Sequence, residues 1–189
     1  MKRTKLALSL AATAVAAFSL SGCDTWSSMV NYVRSDSAAV CPDVNILANT
    51  SVLPAFDPKA GADPATVVYT AKIADVQTRC DYSKRDNKID ANVHVIFQVT
   101  RTPGGAEAHY KLPYYVAVTS NGEIVDKQIH WLEFEFPRAA ADVRVEDLVD
   151  SIEIPVARDR KSYQYHFLIG FQLTQSQLDY NKKMGQYLP

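Results

Sequence analysis

From residue 67 onward, apolar and polar residues alternate along the chain, which is the pattern of strands with one buried and one solvated face. Between residues 89 and 100 the odd positions are apolar and the even positions are polar, with Ile96 as the exception. The last such run carries an apolar residue at every odd position from Tyr163 to Leu173. Seven strands are predicted in this way, over residues 67–80, 89–100, 107–119, 123–136, 143–146, 151–157 and 162–173.

Turn-forming residues separate these runs. Pro103-Gly104-Gly105 interrupts the pattern, and Asn121-Gly122 predicts a tight hairpin, because both of its residues tolerate positive φ angles. In the strand after this hairpin, apolar residues favour odd positions up to Trp131 and even positions from Leu132 onward. This shift predicts a β-bulge or a change of sheet near Trp131.

Seven strands at this spacing predict an all-β fold, an antiparallel sandwich of immunoglobulin-like type. Tyr163 or Tyr165 suits the tyrosine corner of such folds, and an aromatic core residue is the simpler interpretation. Thr174 is expected to cap a short C-terminal helix over residues 175–183. Residues 48–66, which include three prolines and a glycine, predict a surface loop.

The first 22 residues differ in kind from the rest. Basic residues at positions 2, 3 and 5 precede an apolar run over residues 6–20, too short to span roughly 30 Å of hydrocarbon. The run closes on Leu20-Ser21-Gly22-Cys23, which resembles the lipobox of bacterial lipoproteins. The resemblance implies a diacylglyceryl group on the Cys23 thiol and cleavage just before this residue. An ordinary secreted protein with an incidental cysteine is the alternative.

The lipobox resemblance also implies a domain organisation and an address. Residues 1–22 form the signal peptide, residues 23–40 a lipidated tether and residues 41–189 the β-sandwich domain. Two or more acyl chains anchor a protein firmly, so the protein is expected to face the periplasm while attached to a membrane. Asp24 resembles the sorting residue that retains lipoproteins of enteric bacteria in the inner membrane, which is slightly favoured over the outer membrane.

The chain contains three cysteines. With Cys23 assigned to lipid by the resemblance, Cys41 and Cys80 are left as a disulfide pair in an oxidising compartment. A disulfide that closes a loop of about 40 residues contributes roughly 4 kcal/mol in the chain-entropy model. Free thiols and a two-cysteine metal site are the alternatives, and the metal site lacks companion ligands at zinc-finger spacing. No metal and no cofactor are predicted.

The charge balance argues against nucleic acid as a partner. Loss of residues 1–22 removes three of the 20 Lys and Arg residues and none of the 21 Asp and Glu residues, leaving a net charge of −4. Nucleic acid requires a concentrated basic face, and anionic lipid a polybasic patch. Neither is present in the sequence, so membrane attachment is expected through the N-terminal lipid alone.

No catalytic residue is predicted. Four histidines are scattered without the i, i+4 spacing of a helical zinc site: His94, His109, His130 and His166. Glu133 and Glu135 are two positions apart on a predicted strand, so they share one face and lie about 7 Å apart. Paired carboxylates perform acid–base catalysis in glycosidases. Alternating charges on the wet side of a strand are the favoured interpretation. Residues 81–88 resemble a calcium loop only loosely and favour a hairpin turn.

The mature chain also resembles uncharacterised lipoproteins of alphaproteobacteria. The resemblance is carried by Cys41-Pro42-Asp43-Val44, Ile152-Glu153-Ile154-Pro155, Gly170-Phe171-Gln172-Leu173-Thr174 and Leu178-Asp179-Tyr180. It covers nearly all of the mature chain and implies no activity.

An anchor, a tether and a compact domain predict a binding or scaffolding module of the cell envelope with a protein partner. Protein interfaces are enriched in aromatic residues. The candidates, which the simpler interpretation places in the core, are Tyr110, Tyr114, Tyr115, Trp131 and Phe134. Two alternatives stay open. One is an envelope hydrolase whose site is assembled from distant loops, and the other is a carrier that holds an apolar ligand between its sheets.

Overall fold

The structure is a computed structural model that describes residues 41–60, 63–103, 109–138 and 140–185. The predicted signal peptide, the lipidation site Cys23 and the sorting residue Asp24 lie outside these residues, so they stay predictions. The described chain forms eight strands and one helix. These are β1 (Asp43–Ile46), β2 (Val52–Phe56), β3 (Val67–Ser83), β4 (Lys88–Arg101), β5 (His109–Ser120), β6 (Glu123–Glu135), β7 (Asp142–Pro155), β8 (Tyr165–Phe171) and α1 (Gln175–Met184).

The strands form a β-sandwich of two four-stranded sheets, so the predicted all-β fold is confirmed. Sheet I has the order β1-β8-β5-β6, and sheet II has the order β2-β3-β4-β7. The β1–β8 pair is parallel, whereas the other pairs are antiparallel. The strand order differs from that of an immunoglobulin constant domain. An immunoglobulin constant domain divides strands A, B, E and D from C, F and G, whereas here three consecutive strands share sheet II.

The core is built by the alternation that the sequence displays. Every odd residue of β4 from Ile89 to Val99 is buried, and these side chains face the inner side of sheet I. The ring of Phe97 lies 5.1 Å from that of Tyr114 and 5.7 Å from that of Phe171. Burial of one such large apolar side chain contributes about 1.5–3 kcal/mol, so the core is the main source of stability.

The predicted local structures at turns and caps are confirmed. The β5–β6 hairpin turns at Asn121 (φ 53°) and Gly122 (φ 81°). Residues 81–88 form the β3–β4 hairpin, where the Ser83 hydroxyl donates to Asp86 Oδ2 at 2.8 Å. The side chain of Thr174 caps α1 by accepting a hydrogen bond from the backbone N–H of Gln177.

Three sequence-based expectations were incomplete or wrong. The predicted surface loop over residues 48–66 contains strand β2, where Val52 and Leu53 are buried. Pro54 fits there because β2 is an edge strand, in which a missing N–H costs little. The two strands predicted within residues 143–157 are one strand, β7, with a bulge at Ser151 (φ 59°).

The third concerns β6. The β5–β6 register runs without interruption from Asp126 to Glu135, so the predicted change near Trp131 is wrong. The irregularity falls instead at Val125, opposite the step from Val118 to Thr119. Trp131 therefore keeps the outward direction that its position in the strand dictates.

Tyr165 begins β8 and closes the corner from β7. Its buried hydroxyl accepts a hydrogen bond from the Ala157 N–H at 3.0 Å and donates one to the Pro155 carbonyl at 3.2 Å. This is the device of a tyrosine corner, and the same ring also belongs to the core. The other candidate, Tyr163, is 66% exposed.

Replacement of Tyr165 by phenylalanine is expected to lower the free energy of unfolding by about 1–2 kcal/mol, because it leaves the Ala157 N–H without its hydrogen-bond partner. Urea denaturation of the variant measures this change. Tyr163→Phe is the matched control and should change stability by less than about 0.5 kcal/mol. Equal effects of the two substitutions would contradict the assignment of the corner to Tyr165.

Candidate functional site

The predicted disulfide between Cys41 and Cys80 is present, with the two Cα atoms 5.2 Å apart. Cys41 lies two residues before β1 in sheet I, and Cys80 lies within β3 of sheet II. The bond therefore ties the start of the domain to the opposite sheet. Of the predicted site residues, Cys41 and Cys80 are the two that the structure describes.

The outer face of sheet II is mostly polar, with several ion pairs and the exposed side chain of Leu148. Lys88 Nζ lies 2.6 Å from Glu153 Oε1. His94 Nε2 and Arg144 Nε lie 3.1 Å and 3.0 Å from the two carboxylate oxygens of Glu146. The hydrogen bond from Arg144 is the largest of the effects that hold the pKa of Glu146 below its usual value. This face has the character of an ordinary solvated surface.

The outer face of sheet I is different, because large apolar side chains stand exposed on it. Ile124, Ile129 and Trp131 are 61%, 51% and 55% exposed. They point away from the core, because each of them lies opposite an odd residue of β5, and the even residues of β5 are the ones that face the core. We refer to the following residues as the apolar face: Leu47, Ile124, Ile129, Trp131 and Leu168.

A groove of about 270 Å³ runs along part of the apolar face, between the 3-10 turn at Ala48–Thr50 and α1. Tyr115 lies on its floor, and its hydroxyl shares a hydrogen bond with Thr50 Oγ1 at 3.0 Å. Burial raises the pKa of Tyr115. At the rim, Lys127 Nζ lies 4.5 Å from the centre of the Tyr115 ring and donates to Gln172 Oε1 at 3.0 Å. The groove is thus mostly apolar, with a cation at its edge.

Gly170 lets the groove form. A Cβ atom at this position would lie 2.0 Å from Thr50 Oγ1 and 2.6 Å from the Tyr115 hydroxyl oxygen. The missing side chain therefore makes room for the hydrogen bond between Thr50 and Tyr115. The alternating pattern of the sequence does not reveal this role of Gly170, because the residue occupies an outward position of β8.

The Glu133 and Glu135 carboxylates do not act as a pair. Glu133 lies 2.8 Å from Lys111 Nζ, and Glu135 lies 3.5 Å from His109 Nδ1. The hydrogen bond from Lys111 lowers the pKa of Glu133, so this carboxylate is ionised at neutral pH. Two carboxylates, each beside a different basic side chain, correspond to the solvated strand that the sequence favours.

Three polar side chains meet where the two sheets open between β6 and β7. The hydroxyl of buried Tyr114 donates to Asp147 Oδ2 at 2.8 Å, and burial together with this bond raises the pKa of Tyr114. The ring of His130 lies 5.3 Å from that of Tyr114. Desolvation lowers the pKa of His130 and outweighs the opposite effect of Asp147. Tyr114 thus remains a protonated donor and His130 is neutral at pH 7, which closes the edge of the core with polar contacts.

The space between the sheets is occupied by core side chains, and a cleft of about 350 Å³ opens at its edge. Val118, Val125, Ile154 and Tyr165 are among the residues that line this cleft. It is the place where a small apolar ligand, one of the alternatives that the sequence leaves open, would have to lie.

Of the aromatic residues predicted for an interface, most belong to the core. Tyr114, Tyr115 and Phe134 are buried, and Tyr110 stacks on Phe134 with ring centres 5.4 Å apart. Trp131 alone among these five is exposed. Sequence reasoning missed Leu47, Ile124 and Ile129, because it took apolar side chains in strands to be buried. Ile124 and Ile129 are identified by their outward direction in the β5–β6 register, and Leu47 by its place beside Ile124 in the groove.

Within the described residues there is no group of three or more His, Cys, Asp or Glu side chains placed to hold a metal ion. The same residues contain no helix with the length and apolar character needed to cross a membrane. No family model, curated protein or solved structure matches the chain.

Proposed function

We propose that this protein is a lipid-anchored component of the bacterial cell envelope that binds a partner protein through the apolar face. The observation that carries the proposal is the contrast between the two outer faces. Sheet II presents ion pairs around a single large apolar side chain, Leu148, whereas sheet I presents Ile124, Ile129 and Trp131 to solvent. Contiguous apolar side chains rimmed by polar ones are typical of interaction sites. No reaction is assigned to the protein.

Trp131 is expected to be the main anchor of this interaction. Its side chain is 55% exposed, and Lys111 Nζ lies 5.5 Å from the centre of its ring. Exposed tryptophans on rigid strands lose little conformational entropy when bound and are enriched among the residues that dominate binding energy. Ile129, two positions away on the same face, extends the apolar area.

The proposed anchor and tether would let the domain reach a partner at some distance from the membrane. Residues 23–40 would span at most about 60 Å when fully extended. Lipidation at Cys23 and the sorting residue Asp24 support a periplasmic position, with the inner membrane slightly favoured. The apolar face belongs to the domain and does not depend on the tether.

Site-specific photo-crosslinking in membranes tests the binding surface. The photoreactive residue p-benzoylphenylalanine replaces Ile129 on the apolar face of the full-length protein. The matched control replaces Leu148, which is 55% exposed on the outer face of sheet II. A discrete protein adduct is expected from position 129 and not from position 148. Trp131→Ser should reduce its yield about tenfold, since tryptophan anchors are often worth 2 kcal/mol or more.

Equal labelling from both positions, or no adduct from either, would contradict the proposed surface. The anchor is tested in the same cells with Cys23→Ala, which should abolish incorporation of a labelled fatty acid and move the protein out of the membrane fraction. Continued labelling of the Cys23→Ala variant would contradict lipidation at Cys23.

A further inference from the structure

Edge strands offer unpaired backbone N–H and C=O groups, and most folds protect them. Three of the four edges in this sandwich are protected. β1 is only four residues long. β2 carries Pro54, and α1 covers it, since Asn181 Nδ2 donates to the Val52 carbonyl at 2.7 Å and Gln177 Nε2 to the Pro54 carbonyl at 2.8 Å. β7 has a bulge at Ser151, and its regular part carries the exposed charged side chains Arg144 and Glu146.

The fourth edge, β6, has none of these protections along most of its length. It has 13 residues, and among the described strands it pairs with β5 only. Its register with β5 is regular over residues 126–135. Along this stretch Ile129 and Trp131 expose about half of their side chains. A long, regular edge strand with exposed apolar side chains is a template for pairing with another strand.

The outward-facing side chains of this stretch are complementary to those of a second copy. Suppose that two copies of β6 pair antiparallel and that His130 of one copy lies opposite His130 of the other. Ile129 then lies opposite Trp131 of the second copy. Lys127 then lies opposite Glu133 of the second copy, and symmetry makes each pair twice. Aromatic–aliphatic and opposite-charge cross-strand pairs both stabilise a sheet. All four side chains lie on the outer face of sheet I.

We infer that β6 pairs antiparallel with β6 of a second copy of this chain about His130, which joins the two sheets I into one eight-stranded sheet. The inference deepens the proposed function and rests on it, because it names a second copy as the partner of Ile129 and Trp131 on the apolar face. The paired segment, residues 126–134, is centred on His130 and falls entirely within the regular part of β6.

Neighbouring registers are less favourable. The register can change only by an even number of residues, because a slip of one residue turns every side chain of one strand to the opposite face. Centring the pair on Ile129 sets Lys127 against Trp131 and leaves Glu133 without a cation from the second copy. Centring it on Trp131 pairs Lys127 with Glu135 but sets Ile129 against Glu133. On the outer face, the register about His130 is the one of these three that matches both apolar with apolar and cation with carboxylate.

The charged pair is available for this contact. Lys127 is exposed, and its partners in its own chain are the neutral groups Gln172 and Tyr115. Glu133 uses Oε1 for Lys111, which leaves Oε2 for a second cation. Because Lys111 keeps Glu133 ionised, the carboxylate carries its charge at neutral pH.

A zero-length carbodiimide cross-link tests the register directly in membranes that hold the full-length protein. The reagent joins an amine to a carboxylate that it touches. Lys127 and Glu133 of one chain are six residues apart on an extended strand, about 20 Å, so they cannot be joined within one copy. The expected product is a covalent dimer that contains a Lys127–Glu133 linked peptide.

Charge reversal provides the second measurement. Lys127→Glu or Glu133→Lys alone should raise the dimer dissociation constant about tenfold in detergent, because two attractive pairs become repulsive. The double variant K127E/E133K should return it to within about twofold of the original protein. Lys88→Glu, which breaks the Lys88–Glu153 pair on sheet II, makes the same charge change away from the interface and should have no effect.

The possible results separate the two proposals. A dimer that is insensitive to both single reversals, or one whose linked peptides exclude Lys127 and Glu133, would overturn the β6 pairing. A monomer whose residue 129 crosslinks to a different protein would overturn the pairing but support the proposed function. A monomer with no adduct from residue 129 would overturn both.

Discussion

Replacing Cys41 and Cys80 together by alanine is expected to lower the free energy of unfolding by about 4 kcal/mol. The bond closes a loop with a sequence separation of 39 residues, and the chain-entropy model assigns this amount to the freedom that the unfolded chain regains. The bond also joins sheet I to sheet II beside the edge strand β1. Loss of the bond should therefore loosen β1 before the rest of the domain.

Urea denaturation measured by circular dichroism checks this prediction. Wild-type protein under a strong thiol reductant is the matched control and should unfold at nearly the same urea concentration as the double variant. Hydrogen exchange at the amides of β1 reports the local effect. A double variant within about 1 kcal/mol of the oxidised wild type would contradict the stabilising role of the bond.

Gly170→Ala is expected to lower the free energy of unfolding by about 2–3 kcal/mol. Its Cβ would lie 2.0 Å from Thr50 Oγ1 and 2.9 Å from Thr50 Cβ, so the 3-10 turn at Ala48–Thr50 must move as a unit. Overpacking of this kind typically costs 1–3 kcal/mol. The displacement also breaks the hydrogen bond between Thr50 and Tyr115 that shapes the groove.

A double-mutant cycle with Thr50→Gly isolates the cause. If the collision with Thr50 is responsible, Gly170→Ala should cost clearly less in the Thr50→Gly background than in the wild type. Thermal unfolding of the four proteins provides the comparison. Equal costs in the two backgrounds would show that the collision is not the source of the effect.

The elements that the sequence predicted well are those whose cause is local. The Asn121-Gly122 turn, the cap at Thr174 and the long alternating strands β3, β4 and β5 depend on nearby residues alone. The Cys41–Cys80 pairing followed from the cysteine count once Cys23 was assigned to lipid. In each case a single physical requirement, such as a positive φ or a bonded N–H, selects the residue type.

The elements that were missed depend on distant partners. β2 was taken for a loop because of the three prolines and the glycine in residues 48–66, whereas its pairing with β3 and the hydrogen bonds from Asn181 and Gln177 of α1 make a strand there favourable. The bulge in β7 requires Asn92, whose side chain accepts a hydrogen bond from the Ser151 N–H at 3.0 Å. Neither contact leaves a trace in the sequence around the element itself.

Apart from Trp131, which the sequence named as a candidate, the residues of the apolar face were missed for a related reason. Period-two alternation distinguishes two faces of a strand but does not say which of them is covered. In β6 the sequence has apolar residues on both faces, and burial of both would require a bulge near Trp131. The continuous pairing with β5 keeps the strand straight and leaves Ile129 and Trp131 in solvent.

The sequence by itself determined the all-β class, most strand positions, the hairpin turns, the capped helix and the disulfide, because these follow from side-chain period, backbone preference and cysteine count. Only the tertiary structure decided the strand order, the covered and uncovered edges, and the exposure of the apolar face. These depend on which strands meet in space, and pairing between distant segments is a property of the whole fold.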